Sequence, residues 1–184
     1  MTNKPYNSGW IEVICGNMFS GKTEELIRRL RRAEIARLSV AIFKPKIDTR
    51  YEEGNIVSHN QSQLKSSLVE SASEIAPLAK DADVVGIDEV QFFDDKIITI
   101  AKDLAANGKR VIIAGLDTDF RGVPFGPMPG IMCEADYLDK LQAICIVCGN
   151  PASYTQRLTK EAAQVVIGET DIYEARCRHC FEAP

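Results

Sequence analysis

Residues 15–23, Cys-Gly-Asn-Met-Phe-Ser-Gly-Lys-Thr, place Gly16, Gly21, Lys22 and Thr23 at the spacing of a phosphate-binding loop. Each type has a task in that chemistry. Glycines let backbone N–H groups close around phosphate oxygens, Lys22 supplies a point charge, and the Thr23 hydroxyl can ligate magnesium. A helix starting at Thr23 would add its positive end. Asn17, Met18, Phe19 and Ser20 fill the loop and belong to the same phosphate site.

A second acidic element follows at residues 84–89, Val-Val-Gly-Ile-Asp-Glu, an apolar run closed by two carboxylates. Beside a phosphate loop, Asp88 is placed to hold a metal with Thr23. Glu89, pointing the other way along an alternating chain, is the candidate general base for a hydroxyl or water nucleophile. Without the loop, the pair would read as a solvated acidic turn.

Cys145, Cys148, Cys177 and Cys180 form two C-x-x-C pairs, the ligand set of a closed tetrahedral zinc site. Redox pairs or unligated thiols are the alternatives. A metal joining the pairs would remove loop-closure entropy from the long excursion between them. Cys15 and Cys133 read as core residues, and His179 as a bystander.

The elements that must position these residues alternate. Apolar runs at 10–15, 39–44, 83–88 and 110–116 read as strands. Residues 23–38, 73–79 and 94–107 read as helices, the first burying Leu26, Ile27, Leu30 and Ala33 and turning Arg28, Arg29, Arg31 and Arg32 largely to solvent. Such alternation predicts an α/β fold with a central parallel sheet. Pro45 ends the second strand, residues 46–65 read as a long loop, and the proline- and glycine-rich stretch 117–130 as another. An apolar segment, 137–146, leads into the cysteines. Residues 1–144 are expected to form the P-loop domain and 145–184 a small zinc domain.

With 184 residues and a net charge of −4, the chain is sized for one domain with an appendage and is not a general nucleic-acid binder. A polar N-terminus and the lack of any membrane-length apolar run point to a cytoplasmic protein without a membrane partner.

Six ordered segments together resemble the cellular-type (type II) thymidine kinases: residues 16–23, Lys44-Pro45 with 48–51, 88–93, 115–120 with Pro124-Phe125, 154–158, and Tyr173 with 177–180. The resemblance implies a RecA-like P-loop domain and a zinc domain carrying a lasso loop over the nucleoside. It implies transfer of the γ-phosphoryl group of ATP to the 5′-hydroxyl of thymidine, in nucleotide salvage, with Glu89 as base and Mg2+ at Thr23 and Asp88. Asp48, Arg50 and Gln91 would serve the phosphates. Met18, Phe92, Leu116, Phe120, Phe125 and Tyr173 would line the nucleoside pocket, and Thr155 and the backbone at Val166 would meet the thymine edge. Taken singly, each aromatic residue reads equally well as core packing. Feedback inhibition by dTTP and a homotetramer are also implied. His59-Asn60 departs from the common His-Asp pair of the family. A P-loop ATPase or helicase fragment, and a zinc-containing module using ATP as a switch, are the rival readings.

Overall fold

The computed structural model describes residues 8–46, 55–57, 63–159 and 172–183. Six strands form the main sheet: β1 (Trp10–Gly16), β2 (Val40–Pro45), β5 (Ser67–Val69), β6 (Val84–Ile87), β7 (Arg110–Gly115) and β8 (Tyr137–Leu141). Their order is β5-β2-β6-β7-β1-β8, and every neighbouring pair is parallel. One strand, β7, therefore stands between the P-loop strand β1 and the acidic-pair strand β6, as in RecA-like sheets. A short antiparallel hairpin, β3 (Asn55–Val57) with β4 (Gln63–Lys65), precedes β5.

Strand alternation sorts the core into two layers. Ile11, Val13 and Cys15 of β1, with Val85, Ile87, Val111 and Ile113, pack toward α3 (Lys96–Ala106) and the short helix α2 (Ile75–Leu78). Ile14, Val84, Ile112 and Ala114 face the opposite side, against Leu26, Ile27, Leu30 and Ala33 of α1 (Lys22–Ile35). Side chains of period two on strands and an apolar stripe on each helix make this sandwich the only way to bury both. Helix α1 lies so close to the sheet that a Cβ on Gly86 would stand 2.8 Å from Leu30 Cδ1.

Past the sheet, β9 (Ala143–Ile144) pairs with β10 (Pro151–Ala152), and β11 (Tyr154–Arg157) with β12 (Tyr173–Arg176), both antiparallel. Ala143, Cys145, Ala152, Ala175 and Cys177 form their own small core. Among the described residues, no helix is long and apolar enough to cross a membrane.

The structure corrects several expectations. Helix α1 stops at Ile35, three residues before the expected end. Arg37 takes a left-handed φ of 61°, and the Leu38 and Arg37 amides bond back to Ala33 and Glu34. This is a Schellman end with arginine where glycine is usual, so the stop signal was silent. The stretch 46–65 is not wholly irregular, since β3 and β4 pair within it. The proline-rich stretch ends in helix α4 (Met128–Cys133), whose early Pro129 lacks only an N–H that a first turn does not use. Cys133 is exposed, not core.

Arg29 is the largest correction to the helix surface. Its side chain is 12% exposed and donates to Glu12 (2.8 Å), Glu25 (2.8 Å) and Asp139 (2.6 Å). Glu12, buried on the α1 face of β1, also accepts from Arg110 Nε (2.6 Å) and Trp10 Nε1 (2.7 Å). One carboxylate thus joins β1, α1 and β7.

Burial pushes the Glu12 carboxyl up, but its hydrogen bonds to Arg110 and Trp10 and the nearby Arg29 hold it below its ordinary 4.5. A depressed native value means stability that is present above pH 4.5 and is lost as pH falls through the native value. Removing this carboxylate leaves two arginines partly buried without their shared partner, a change of about 3 kcal/mol. Glu12→Ala should lower the melting temperature at neutral pH. Glu12→Gln should show a shallower loss of melting temperature below pH 4.5 than the parent, measured by circular dichroism.

Candidate active site

The P-loop turns out of β1 at Gly16, whose φ is 141°. A Cβ there would come 2.3 Å from the Leu141 carbonyl oxygen of β8, so only glycine fits. Phe19, at φ 66°, and Gly21, at φ 85°, are left-handed further along the loop, and Gly21 opens α1. Between Gly16 and Gly21, Asn17 is fully buried and acts as a hub. Its Nδ2 donates to the Tyr154 carbonyl (3.2 Å) and its Oδ1 accepts from Ala143 N (3.4 Å). Its carbonyl accepts from Ser20 Oγ (2.8 Å) and Lys22 Nζ (2.7 Å). Met18 N donates to Thr155 Oγ1 at 3.0 Å. The loop is therefore held from both sides, by its own helix and by the C-terminal ribbon.

At the start of α1, Thr23 Oγ1 donates to Asp88 Oδ2 at 3.2 Å. Asp88 ends β6, is buried, and accepts the Glu89 amide on Oδ1 (3.0 Å). Glu89 itself sits at φ 52°, ψ 40°, a left-handed conformation that is strained for a residue with a Cβ. The kink takes the chain out of the sheet, so Glu89 leaves the alternation assumed from the sequence. Burial lowers the Lys22 ammonium below its ordinary range, against the opposing pull of Glu89, Asp88 and Asp117. Lys22 thus lies within the electrostatic reach of three carboxylates while its ammonium donates to the Asn17 carbonyl.

Gln91, expected near the phosphates, is buried: its Nε2 donates to Glu89 Oε2, and its Oε1 accepts from Leu116 N (3.0 Å). The expected pocket residues gather along one edge. Phe92 and Phe125 meet edge to face, centroids 5.6 Å apart. Phe120 and Tyr173, from the loop after β7 and from β12, are joined by Arg157, which lies 3.5 Å from the Phe120 ring centroid and donates to the Tyr173 hydroxyl at 2.8 Å. Thr155 is buried between this group and Met18. Asp48, Arg50, Val166 and the His59-Asn60 pair lie outside the described residues, as does most of the expected lasso.

Three contributors were missed from sequence. Arg157 stands only as one residue of the 154–158 segment, with no role assigned. Asp117, buried with Lys140 Nζ at 2.6 Å from Oδ2, adds negative charge next to Lys22 and Cys15. Asp119 organises the loop before Phe125, accepting from the Arg121 and Val123 amides on Oδ1. Two aspartates just past an apolar strand were the available signal for the last two.

The four thiols of Cys145, Cys148, Cys177 and Cys180 all lie within 4.8 Å of one another, and Cys148 Sγ is 3.6 Å from Cys177 Sγ. Zinc with bonds of about 2.3 Å would set sulfurs about 3.8 Å apart, so the cluster fits a tetrahedral ion. Burial opposes the Cys145 thiolate, yet backbone N–H groups at Cys177, Cys148 and Val147 pull it down to about 6. Burial and the neighbouring thiols push Cys180 the other way, up to about 12, so it is the geometry of the four sulfurs that suits a cation.

The family profile described as thymidine kinase matches residues 9–181, nearly the whole chain. The chain belongs to the thymidine kinase family. A thymidine kinase of Rhodothermus sp. (strain ITI 518) is 59% identical over 176 residues, covering 96% of this chain and 83% of that one. One from Bacteroides fragilis (strain YCH46) is 56% identical over 174 residues, covering 95% and 87%. Among solved structures, the genome packaging NTPase B204 of Sulfolobus turreted icosahedral virus 2 is 14% identical with a TM-score of 0.46, over 85% of this chain and 78% of that one. Relatives at this identity, with the motifs above, place the chain in the type II branch and make it a nucleotide-binding transferase of the kinase class.

Proposed function

We propose that this thymidine kinase transfers the γ-phosphoryl group of ATP to the 5′-hydroxyl of thymidine, giving dTMP and ADP, with Glu89 as general base. The observation that supports this most is the convergence of Lys22, Thr23, Asp88 and Glu89 at the carboxyl ends of β1 and β6. Thr23 and Asp88 would hold Mg2+, which when bound offsets charge on the β- and γ-phosphates. Lys22 would exchange its bond to the Asn17 carbonyl for phosphate oxygens, since both are acceptors within reach of one ammonium. The Glu89 carboxylate would take the proton of the 5′-hydroxyl as that oxygen bonds to the γ-phosphorus and the bond to the β–γ bridging oxygen breaks.

The pocket reading rests on the aromatic group. Thymine needs apolar walls with a few polar contacts, and water must be kept from the γ-phosphorus. Phe120, Phe125 and Tyr173 are buried, and β11, which carries Arg157 against Phe120 and Tyr173, also carries Thr155, the acceptor of the Met18 amide in the P-loop. With Phe92 and Leu116 they supply such walls. Asp48 and Arg50 near the phosphates and Val166 at the thymine edge complete the proposal from the family likeness.

The cysteine cluster is proposed to hold one structural zinc, fixing both feet of a lasso domain spanning 145–184, with the P-loop domain at 1–144. The separate small core around Cys145 and Cys177 supports that division. A place in cytoplasmic nucleotide salvage and a homotetrameric assembly belong to the same proposal. So does feedback inhibition by dTTP, which would join base and triphosphate in one molecule and gain from high effective concentration.

Steady-state kinetics with thymidine and ATP test the core of this reading. Lys22→Ala and Asp88→Asn should abolish turnover and weaken nucleotide binding. Glu89→Gln should keep ATP affinity and lose about 10²–10⁴-fold in kcat; wild-type turnover in that variant would sink the base assignment. Elemental analysis of protein purified without chelators should find one zinc per chain, and Cys148→Ser should lower that content, whereas a disulfide within either pair would overturn the site. Inhibition by dTTP should be relieved at saturating thymidine and ATP together, with CTP as the weak control. Inhibition that persisted there would point to a separate regulatory pocket.

A further inference from the structure

The side-chain amide of Gln91 is committed at both ends. Leu116 N can only donate, so the oxygen of the amide must face it, and that orientation turns the NH2 group to the Glu89 carboxylate. Neither contact is incidental to the packing. Gln91 is 2% exposed. A Cβ on Gly115 would stand 2.9 Å from its Oε1, and one on Gly126, at φ 50°, only 2.3 Å from its carbonyl oxygen. The space beside Gly115 is shared with Met128 and Val90, each 2.8 Å from the same point, and Gly126 admits the Gln91 backbone.

The geometry also shows why such a residue is required. Glu89 stands in a strained left-handed turn beyond the end of β6, where neither strand nor helix directs its side chain. Gln91, two residues on in the 3₁₀ turn Val90–Phe92, supplies a fixed donor to one oxygen of the Glu89 carboxylate. Its opposite end is anchored on Leu116, just past β7 and at the wall proposed for the nucleoside. Base and wall therefore share one rigid connector.

From this we infer that Gln91 is a positioning residue for the base: it sets the direction of the Glu89 carboxylate relative to the nucleoside wall at Leu116 and does not bind phosphate. The inference rests on Glu89 being the base. Two substitutions separate its halves. Gln91→Glu keeps an acceptor for Leu116 N but replaces the donor toward Glu89 with a repelling oxygen. Gln91→Met removes both contacts at nearly the same length.

Loss of a residue that orients a reacting group costs about 10–100-fold in activity. Gln91→Glu should lower kcat by about that factor with the KM for thymidine and direct ATP binding unchanged. Gln91→Met should lower kcat similarly and also raise the KM for thymidine, because Leu116 loses its tether. In a Glu89→Gln background Gln91→Glu should cost nothing further in kcat, and Gln91→Met should add only its rise in KM, since two groups acting as one unit are not additive. Melting temperatures identify variants that fail to fold, and the double-variant comparison is made on folded protein.

Weakened ATP binding with kcat intact would make Gln91 a phosphate ligand and overturn the inference. Equal losses in the parent and Glu89→Gln backgrounds would overturn it as well, by showing a general structural effect. Should Glu89→Gln alone retain full turnover, the base reading itself falls, a result readable independently of any change at Gln91.

Discussion

The hydrogen bond from Thr23 to Asp88 spans two strands that are not neighbours, because β7 lies between β1 and β6. It can form only if all three strands run parallel and end at the same level, so that the P-loop and the acidic pair emerge on one edge. The register supplies this: Ile14 stands beside Ala114, and Ile87 beside Ile113. Everything chemical in the molecule depends on that alignment. A slip of one residue in any of the three strands would turn its core face outward and part the two groups by several ångströms.

Strands this deeply buried carry little polar chemistry of their own, so the site is assembled where each chain leaves the sheet. Gly16, Gly21 and Glu89 all take positive φ within that zone. The strain at Glu89 persists because its surroundings determine its position from several sides: the Asp88 carboxylate on its amide and Gln91 on its side chain. Asn17 performs the corresponding task for the P-loop, tying it to Tyr154 and Ala143. The C-terminal ribbon consequently helps hold the P-loop in shape.

Magnitudes separate these ties from the surface chemistry. An exposed pair such as Lys46 with Glu70, whose side chains are 61% and 71% exposed, contributes about 0–1 kcal/mol and is screened by salt. Glu12, shared by Arg29, Arg110 and Trp10 in a buried setting, is coupled to three elements at once. The charge run at Arg28 to Arg32 looked uniform along the helix, yet Arg29 alone faces β1 and β8, where Glu12 and Asp139 wait for it.

Much of this protein was legible before any coordinates, for reasons of locality. The P-loop, the Asp88-Glu89 pair and the C-x-x-C pairs are contiguous, so their chemistry is written in residue type and short spacing. The α/β alternation follows from periodicity, and the apolar stripe of α1 from spacing of three and four. What lies between distant segments was not legible. Arg157 carries no assignable role until β11 sets it over Phe120 beside Tyr173. The family likeness puts Gln91 near the phosphates, and only the fold shows that its oxygen accepts from Leu116 N. Arg37 could not announce a helix end that glycine would have signalled. By itself, then, the sequence determined which groups can react, because side-chain chemistry is local. Tertiary structure alone decided which way those groups point, because direction is imposed by partners brought in from other strands.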